Sequence, residues 1–476
     1  MLVRLCKDAF VRNFGPYTYF YSQTHMSDVM YEDAYVFACA ITRLAKDYEQ
    51  LLGEVLIAYG GEDRSRIDCD LREFIAELVE NGFVVVGESE DELNKKDIGF
   101  SYLAVSPHTS ADVQGRNVDN VDNNAHEKLH KYFEKHPTPF ILHVDLTSEC
   151  NERCVHCYVP RGRHFYITKE CVYKVMSEFR KMEGLDITFS GGECLLHPDF
   201  MDIVKKAREL DLSVTILSNL TMLTNEMARF LKAMNLALVQ TSLYSMDSSV
   251  HDSITRLAGS HEKTRSAIEL LHSLDVPVQI ACPCMKTNFK GYREVLEYAY
   301  GLKVKAYTDF IMMARSDGTS DNLEYRLNIE ESISLMRTIM ENELEMKSLL
   351  KSKRAKVSPE KLAEDPMCGI GVDSICLNAD GNYYACSGFQ GCTLGNCSEQ
   401  TLSEVWFTSP QILKLRGLRK KDIPQCLHCP DSEFCSMCLV RNFNETGNML
   451  NVPKHFCEIA QNNHALCDEY EKLYVE

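Results

Sequence analysis

Three cysteines fall within one short segment, Cys150-Asn-Glu-Arg-Cys154-Val-His-Cys157. The segment directly follows the apolar, β-branched run Phe140–Asp145. A strand that ends in three closely spaced thiols commits that end of the fold to metal or redox chemistry, because the thiolate is a soft ligand and nucleophile. Three thiolates on one loop suit three irons of a cubane cluster and leave the fourth iron open. They also suit zinc, which asks for a fourth ligand. His156 is the nearest, although its place between Cys154 and Cys157 is cramped for a tetrahedron. The chain holds 21 cysteines in all, eleven of them from Cys368 to Cys467. In a reducing compartment such cysteines are more often ligands than disulfide partners.

From Phe140 to about Met313 the pattern alternates between strands and helices. Phe140–Asp145, Leu185–Phe189, Leu212–Leu217, Leu236–Leu243 and Val278–Ala281 read as strands. Thr168–Met182, opened by a Thr cap, Asn225–Met234 and Glu262–Leu274 read as helices. Repeated βα units predict an α/β fold with a parallel sheet and ligands at the carboxyl ends of its strands. The strand after the cysteine loop ends in Ser190-Gly191-Gly192-Glu193. Glycines there let a ligand approach the backbone closely.

A Cys-x3-Cys-x2-Cys loop followed one strand later by Gly-Gly-Glu resembles the radical S-adenosylmethionine (SAM) superfamily. The resemblance implies a partial (β/α)6 barrel and a 4Fe-4S cluster held by Cys150, Cys154 and Cys157. SAM would chelate the open iron, and its reductive cleavage would give a deoxyadenosyl radical that abstracts hydrogen from a substrate. The Ser190, Gly191, Gly192, Glu193 turn would bind the SAM amino group. Ser218-Asn219 resembles the family's next strand end, with Leu220 in place of the usual glycine. Ser242 would contact SAM from the following strand, and Arg256 would pair with its carboxylate, a role suited to a guanidinium fork.

The C-terminal cysteines read first as a hairpin around Asp380-Gly381, with Cys368 and Cys376 before it and Cys386 after. Then come Cys426, Cys429, Cys435, Cys438 and Cys457. Paired Cys-x2-Cys units alone would suit zinc. Together with Thr393-Leu-Gly-Asn and Trp406, the set resembles the SPASM domain of peptide-modifying radical SAM enzymes. That resemblance assigns Cys426, Cys429, Cys435 and Cys457 to one auxiliary 4Fe-4S cluster and Cys368, Cys386 and Cys438 to a second, for three clusters in all. Only two residues separate Cys435 from Cys438, where three are commoner. The fourth ligand of the second auxiliary cluster stays open between Cys376, Cys392, Cys397 and a substrate thiolate. Cys6, Cys39, Cys69, Cys171 and Cys467 match no motif and read as small buried hydrophobes.

Residues 1–90 begin with strand-like alternation at Tyr17–Ser22, continue with a helix over Asp70–Gly82 and return to a strand at Phe83–Val86. The layout suggests a winged helix-turn-helix. It resembles the leader-recognition domain of ribosomal-peptide maturases, where a leader adds as a strand to a sheet edge. Residues 91–137, polar around Gln114–Asn124, read as a linker, partly disordered. Residues 138–340 would be the barrel and 341–476 the SPASM region. The net charge of -18 and the lack of a basic stripe argue against nucleic acid. No apolar run reaches the roughly 20 residues of a membrane span, and the charged start is unlike a secretory signal, so the expected location is cytoplasmic. The expected function is maturation of a precursor peptide, through thioether links from cysteine sulfur to another residue's carbon as in sactipeptide and ranthipeptide enzymes. An external electron donor such as flavodoxin or ferredoxin would feed the clusters. Other radical peptide modifications, or a zinc-bound scaffold, are the alternatives.

Overall fold

The computed structural model describes residues 1–474 apart from 24–26, 61–62, 98–124, 161, 163 and 342–357. Most of the expected linker therefore lies outside the described residues.

The chain opens with two small antiparallel sheets. Strand β1 (Leu2–Leu5) is central in the first; β2 (Ala9–Phe14), β3 (Tyr17–Ser22) and β4 (Ser27–Glu32) form the second in that order. Strands β5 (Lys46–Asp47) and β6 (Val84–Gly87) flank β1. Helices Tyr48–Ala58 and Arg64–Glu80 come between them. Asp63 caps the second helix by accepting from Arg66 N, so it begins earlier than the apolar periodicity alone indicates.

This unit is not tethered loosely. Phe10, Phe14 and Tyr19 share a buried cluster with Leu129, Phe133, Phe140 and Leu185. Leu129 and Phe133 belong to a helix, Ala125–Lys135, inside the stretch read as a linker. Its apolar residues are few, and charged neighbours on its solvent face mask the stripe that docks it. Arg12, wholly buried, donates to Gly184 O at 2.9 Å and to the Asp211 carboxylate at 3.2 Å. Arg43 reaches the same carboxylate at 2.6 Å. A buried guanidinium with this many acceptors is costly to displace.

The main sheet has nine strands. β7 (Ile141–Thr147), β8 (Asp186–Gly191), β9 (Ser213–Leu217), β10 (Leu238–Ser242), β11 (Val278–Ala281) and β12 (Lys305–Tyr307) run parallel in sequential order. The last of these was not anticipated, being three residues long and only partly covered. Gly184 and Asp211 lie in the turns that enter β8 and β9, so the N-terminal unit docks at the end of the sheet opposite the cysteine loop.

Side chains alternate across each strand. Leu142, Val144 and Leu146, Ile187 and Phe189, and Val214 and Ile216 are buried against the helices. The other face carries His143, Asp145, Thr188, Ser190, Gln240 and Ser242, all partly buried. One face is thus a core and the other a polar interior.

The C-terminal region completes this same sheet. β13 (Ser374–Leu377) runs parallel beside β7, with Ser374 opposite Ile141, and turns at Gly381 into β14 (Asn382–Tyr384) and β15 (Thr393–Asn396). Gly381 has φ +81°, the conformation that favours glycine in such a turn. Trp406 is wholly buried, and its indole donates to Pro137 O at 2.9 Å. The hairpin was legible in the sequence; its pairing with β7, far away in the chain, was not. Among the described residues no helix is long and apolar enough to cross a membrane.

Candidate cluster and cofactor site at the strand ends

The Cys150–Cys157 loop leaves the carboxyl end of β7 and is held from several sides. Arg153 N and Val155 N donate to Thr255 O and Ile254 O at 2.8 and 3.0 Å. Arg315 Nη1 donates to Cys157 O at 2.6 Å while Asp321 grips the same guanidinium at 2.8 and 3.0 Å. A loop fixed in this way presents its thiols in set positions before any metal arrives.

Cys150, Cys154 and Cys157 lie near enough for each thiolate to disfavour the next. Burial pushes the Cys150 thiol up to about 12, and the charges of Glu193, Glu152 and Cys157 push the same way. Cys154 is raised well above its ordinary range by burial, then by Glu152 and the other two cysteines. Such thiols ionise when a cation binds between them, as a metal drives off the thiol proton. The donor set therefore fits an iron–sulfur cluster. His156 does not join it as a clear fourth ligand. Its ring is buried edge-on to Tyr244 at 5.2 Å, and burial lowers its pKa to about 4.

The glycines of the turn are crowded by neighbouring backbone. A Cβ on Gly191 would collide with Thr147 O, and one on Gly192 with Glu149 O. What approaches these glycines is the backbone that leads into the cysteine loop. Gly192 N donates to Thr147 O at 2.7 Å and Glu193 N to Glu149 O at 2.8 Å. The Glu193 carboxylate is also occupied. It accepts from Ser218 Oγ at 2.7 Å, Asn219 N at 2.7 Å and Leu195 N at 2.9 Å. It staples the ends of β8 and β9 together.

Asn219 reaches back to the loop. Its Nδ2 donates to Asn151 Oδ1 at 2.9 Å and lies 3.9 Å from Cys150 Sγ. Leu220, in the place of the family's glycine, keeps the glycine-like backbone at φ +61° and is buried. Ser242 ends β10, two residues before Tyr244. Arg256 ends the helix Ser248–Thr255 in a left-handed conformation, exposed, beside the carbonyls that hold the loop.

Two contacts to the cysteines went unread in the sequence. Tyr244 Oη donates to Cys154 Sγ at 3.8 Å. Cys154 Sγ lies 3.1 Å from a Glu152 carboxylate oxygen, and burial raises that carboxyl to about 7. Glu152, lying inside the motif, could have been flagged as an acid forced into a buried loop. Tyr244 carried no signal, because only the fold brings it near.

The C-terminal cysteines gather into two groups. Cys426, Cys429, Cys435 and Cys457 bear on one another, and Cys368, Cys386 and Cys438 form the second group. The short spacing after Cys435 still separates the two memberships. Cys435 closes the single turn Ser432–Phe434, whereas Cys438 directly precedes the helix Leu439–Thr446. Of the candidates for a fourth ligand, Cys376 is buried and its thiol donates to Asn378 Oδ1 at 3.2 Å. Cys397 lies beside Cys171, and burial pushes its thiol up to about 12. Cys39 and Cys69 are exposed, contrary to the expectation that unassigned cysteines are buried; Cys6 and Cys467 are buried.

Between the strand ends and the C-terminal hairpin lies a small, partly open cleft. Thr147, Gly191 and Gly192 line it from the sheet, Phe165 from the loop after the cysteines, and Asn378 and Asp380 from the hairpin. Tyr158, next to Cys157, donates to Ser387 Oγ at 3.4 Å and so joins the first loop to the Cys386 side.

Residues 144–313 match the model of the radical SAM superfamily, and residues 368–430 match that of the SPASM iron–sulfur cluster-binding domain. An AdoMet-dependent heme synthase of Methanosarcina barkeri is 26% identical over 334 residues, 66% of this chain and 94% of its own. The antilisterial bacteriocin subtilosin biosynthesis protein AlbA of Bacillus subtilis is 25% identical over 339 residues, 68% of this chain and 72% of its own. The crystal structure of Streptococcus suis SuiB bound to precursor peptide SuiA has the same fold. It superposes with a TM-score of 0.61 at 13% identity and covers 94% of this chain and 98% of that one.

Proposed function

With a radical SAM enzyme bearing a SPASM extension as the premise, we propose that this protein matures a ribosomally made precursor peptide by joining a cysteine sulfur to a carbon of another residue. The observation that carries this reading is the cleft. It lies between the turn after β8 and a hairpin that leads to a cysteine group with three clear members, Cys368, Cys386 and Cys438. A fourth position open to a substrate thiolate would hold that sulfur near a carbon radical formed at the turn.

In this reading the parallel strands are a partial (β/α)6 barrel. Cys150, Cys154 and Cys157 hold the 4Fe-4S cluster, and the backbone of Ser190–Glu193, with Ser218, Asn219, Ser242 and Arg256, surrounds SAM. When bound, the cluster and SAM supply a deoxyadenosyl radical. Cys426, Cys429, Cys435 and Cys457 hold a second cluster, and Cys368, Cys386 and Cys438 a third. A flavodoxin- or ferredoxin-like protein supplies electrons. The N-terminal unit, read as a winged helix, takes the leader along β4, one of the two edge strands of its sheet. The subtilosin relative and the peptide bound to SuiB support a peptide substrate.

The test uses a candidate precursor, a short cysteine-containing peptide whose gene neighbours this one. Each thioether removes two hydrogens, blocks alkylation of one cysteine and disappears when that cysteine is changed to serine. A modified peptide whose cysteines all remain alkylatable would move the reading to carbon–carbon coupling or epimerisation. Leader docking is read by hydrogen exchange, with slower exchange at Ser27–Glu32 when the leader is added. Deleting residues 1–90 is a poor test, since Phe133, Phe140 and Leu185 lose their cover with Phe10 and Phe14.

A further inference from the structure

Asp145 lines the cleft but takes no part in holding the cysteine loop or the glycine turn. It stands on the polar face of β7, in register with Ser190 on β8. His143, two residues earlier on the same face, places Nε2 3.0 Å from Asp145 Oδ1. The other carboxylate oxygen has no hydrogen-bond partner among the described residues, and the side chain keeps 15% of its exposure, toward the cleft. A carboxylate fixed by an imidazole on one side and open on the other is arranged to accept a proton.

The surrounding groups leave that task to it. Tyr158, from the loop, and Cys376, from β13, both hold their protons more firmly than usual, through burial and then through the charge of Asp145. Asp380, across the cleft, is engaged by Asn382 N and Nδ2 at 3.0 Å each and by Tyr384 Oη at 3.3 Å. Tyr158 and Cys376 also lie near Cys386. Asp145 is therefore between the turn after β8 and the cysteine group with three clear members.

We infer that Asp145, oriented by His143, accepts the proton of a substrate cysteine thiol held in this cleft. The inference rests on the thioether reading and supplies what that reaction lacks. A free thiol, with a pKa of about 8.5, is only a few per cent ionised at neutral pH. Forming the C–S bond breaks one C–H bond and one S–H bond. The carbon's hydrogen leaves as an atom to the deoxyadenosyl radical. The sulfur's hydrogen leaves as a proton to Asp145. The one remaining electron goes to an oxidised iron–sulfur cluster. Asp145 is then a catalytic residue and His143 a positioning residue.

The experiment compares the cluster-loaded protein with its Asp145→Asn, Asp145→Glu and His143→Gln variants on a candidate precursor, a short cysteine-containing peptide whose gene neighbours this one. Without reductant, anisotropy of the labelled peptide should give a Kd for Asp145→Asn within about twofold of the parent. With reductant, its thioether yield per deoxyadenosine should fall at least tenfold at pH 7 and recover toward pH 9, where the thiol ionises unaided. Asp145→Glu should restore part of the yield, and His143→Gln should lower it less than Asp145→Asn. A tenfold weaker Kd with unchanged yield would make Asp145 a substrate anchor and overturn the inference. An equal loss at every pH would make it structural and do the same. If the parent forms thioethers and Asp145→Asn matches it throughout, the inference falls while the thioether reading stands. If the parent's product keeps all its cysteines free, both fall.

Discussion

The two cysteine-bearing regions solve one chemical problem by opposite means. Cys150, Cys154 and Cys157 share a single loop, and the strand before it fixes where all three thiols point. The C-terminal cysteines are scattered from Cys368 to Cys457 and come together only because a hairpin, the helix Leu439–Thr446 and the final helix pack together. In the first region the spacing is the site. In the second the spacing is a by-product of the fold, so a one-residue departure between Cys435 and Cys438 is absorbed. Local sites are thus intolerant of backbone change, whereas assembled ones are intolerant of packing change.

The strongest challenge to this comparison is the simultaneous change of Cys150, Cys154 and Cys157 to alanine. Deoxyadenosine formation should fall at least a thousandfold. Roughly eight irons per chain should remain, at four per cluster. Iron analysis and chromatography of the nucleoside products test both halves; a matching loss of iron from the C-terminal groups would show that the regions are not independent.

Gly192→Ala probes the local site through its backbone. The new Cβ meets Glu149 O, so the loop must move. Iron bound at the first site and deoxyadenosine formed should drop about tenfold, while melting changes by only a few degrees, as expected for a change of about 1–3 kcal/mol.

Cys435→Ser and Cys438→Ser sharpen the assembled side. Although the residues are three apart, each variant should lose about one third of the total iron from a different cluster, and the double variant about two thirds. Electron paramagnetic resonance of the reduced proteins distinguishes the two signals. Loss of the same signal in both variants would mean that the two cysteines share a cluster.

The smallest effect is at Leu220. Its left-handed backbone costs about 1–2 kcal/mol for a side chain that carries a Cβ, whereas losing a buried leucine side chain costs about 2–5 kcal/mol. Leu220→Gly relieves the first and suffers the second; Leu220→Ala only suffers. Thermal melting should therefore rank Leu220 above Gly and Gly above Ala. An alanine variant more stable than the glycine variant would show that the strain at φ +61° is negligible.

The helices and strands around β7–β11 were legible because each is a continuous amphipathic or β-branched run with its own cap or glycine stop. Thr168, for example, accepts from Cys171 N at the start of its helix. The cysteine loop and the Ser190–Glu193 turn were legible as positions. Their roles were less so: Gly191 and Gly192 make room for neighbouring backbone, and the Glu193 carboxylate is spent on Ser218, Asn219 and Leu195. A motif records which residues are required without saying which neighbour requires them.

By itself the sequence determined where thiols, glycines and strand ends occur, and hence that a parallel α/β unit carries metal chemistry at one end. Those signals are local, set by residues within a turn or two of one another. Only the tertiary structure decided that β13 extends the sheet beside β7, that Tyr244 and Asn219 close on the cysteines, and that the N-terminal unit is clamped through Arg12 and Asp211 to the opposite end. These outcomes join residues distant in the chain, and their driving force is burial of apolar surface together with satisfaction of buried polar groups. Neither leaves a fixed spacing in the sequence.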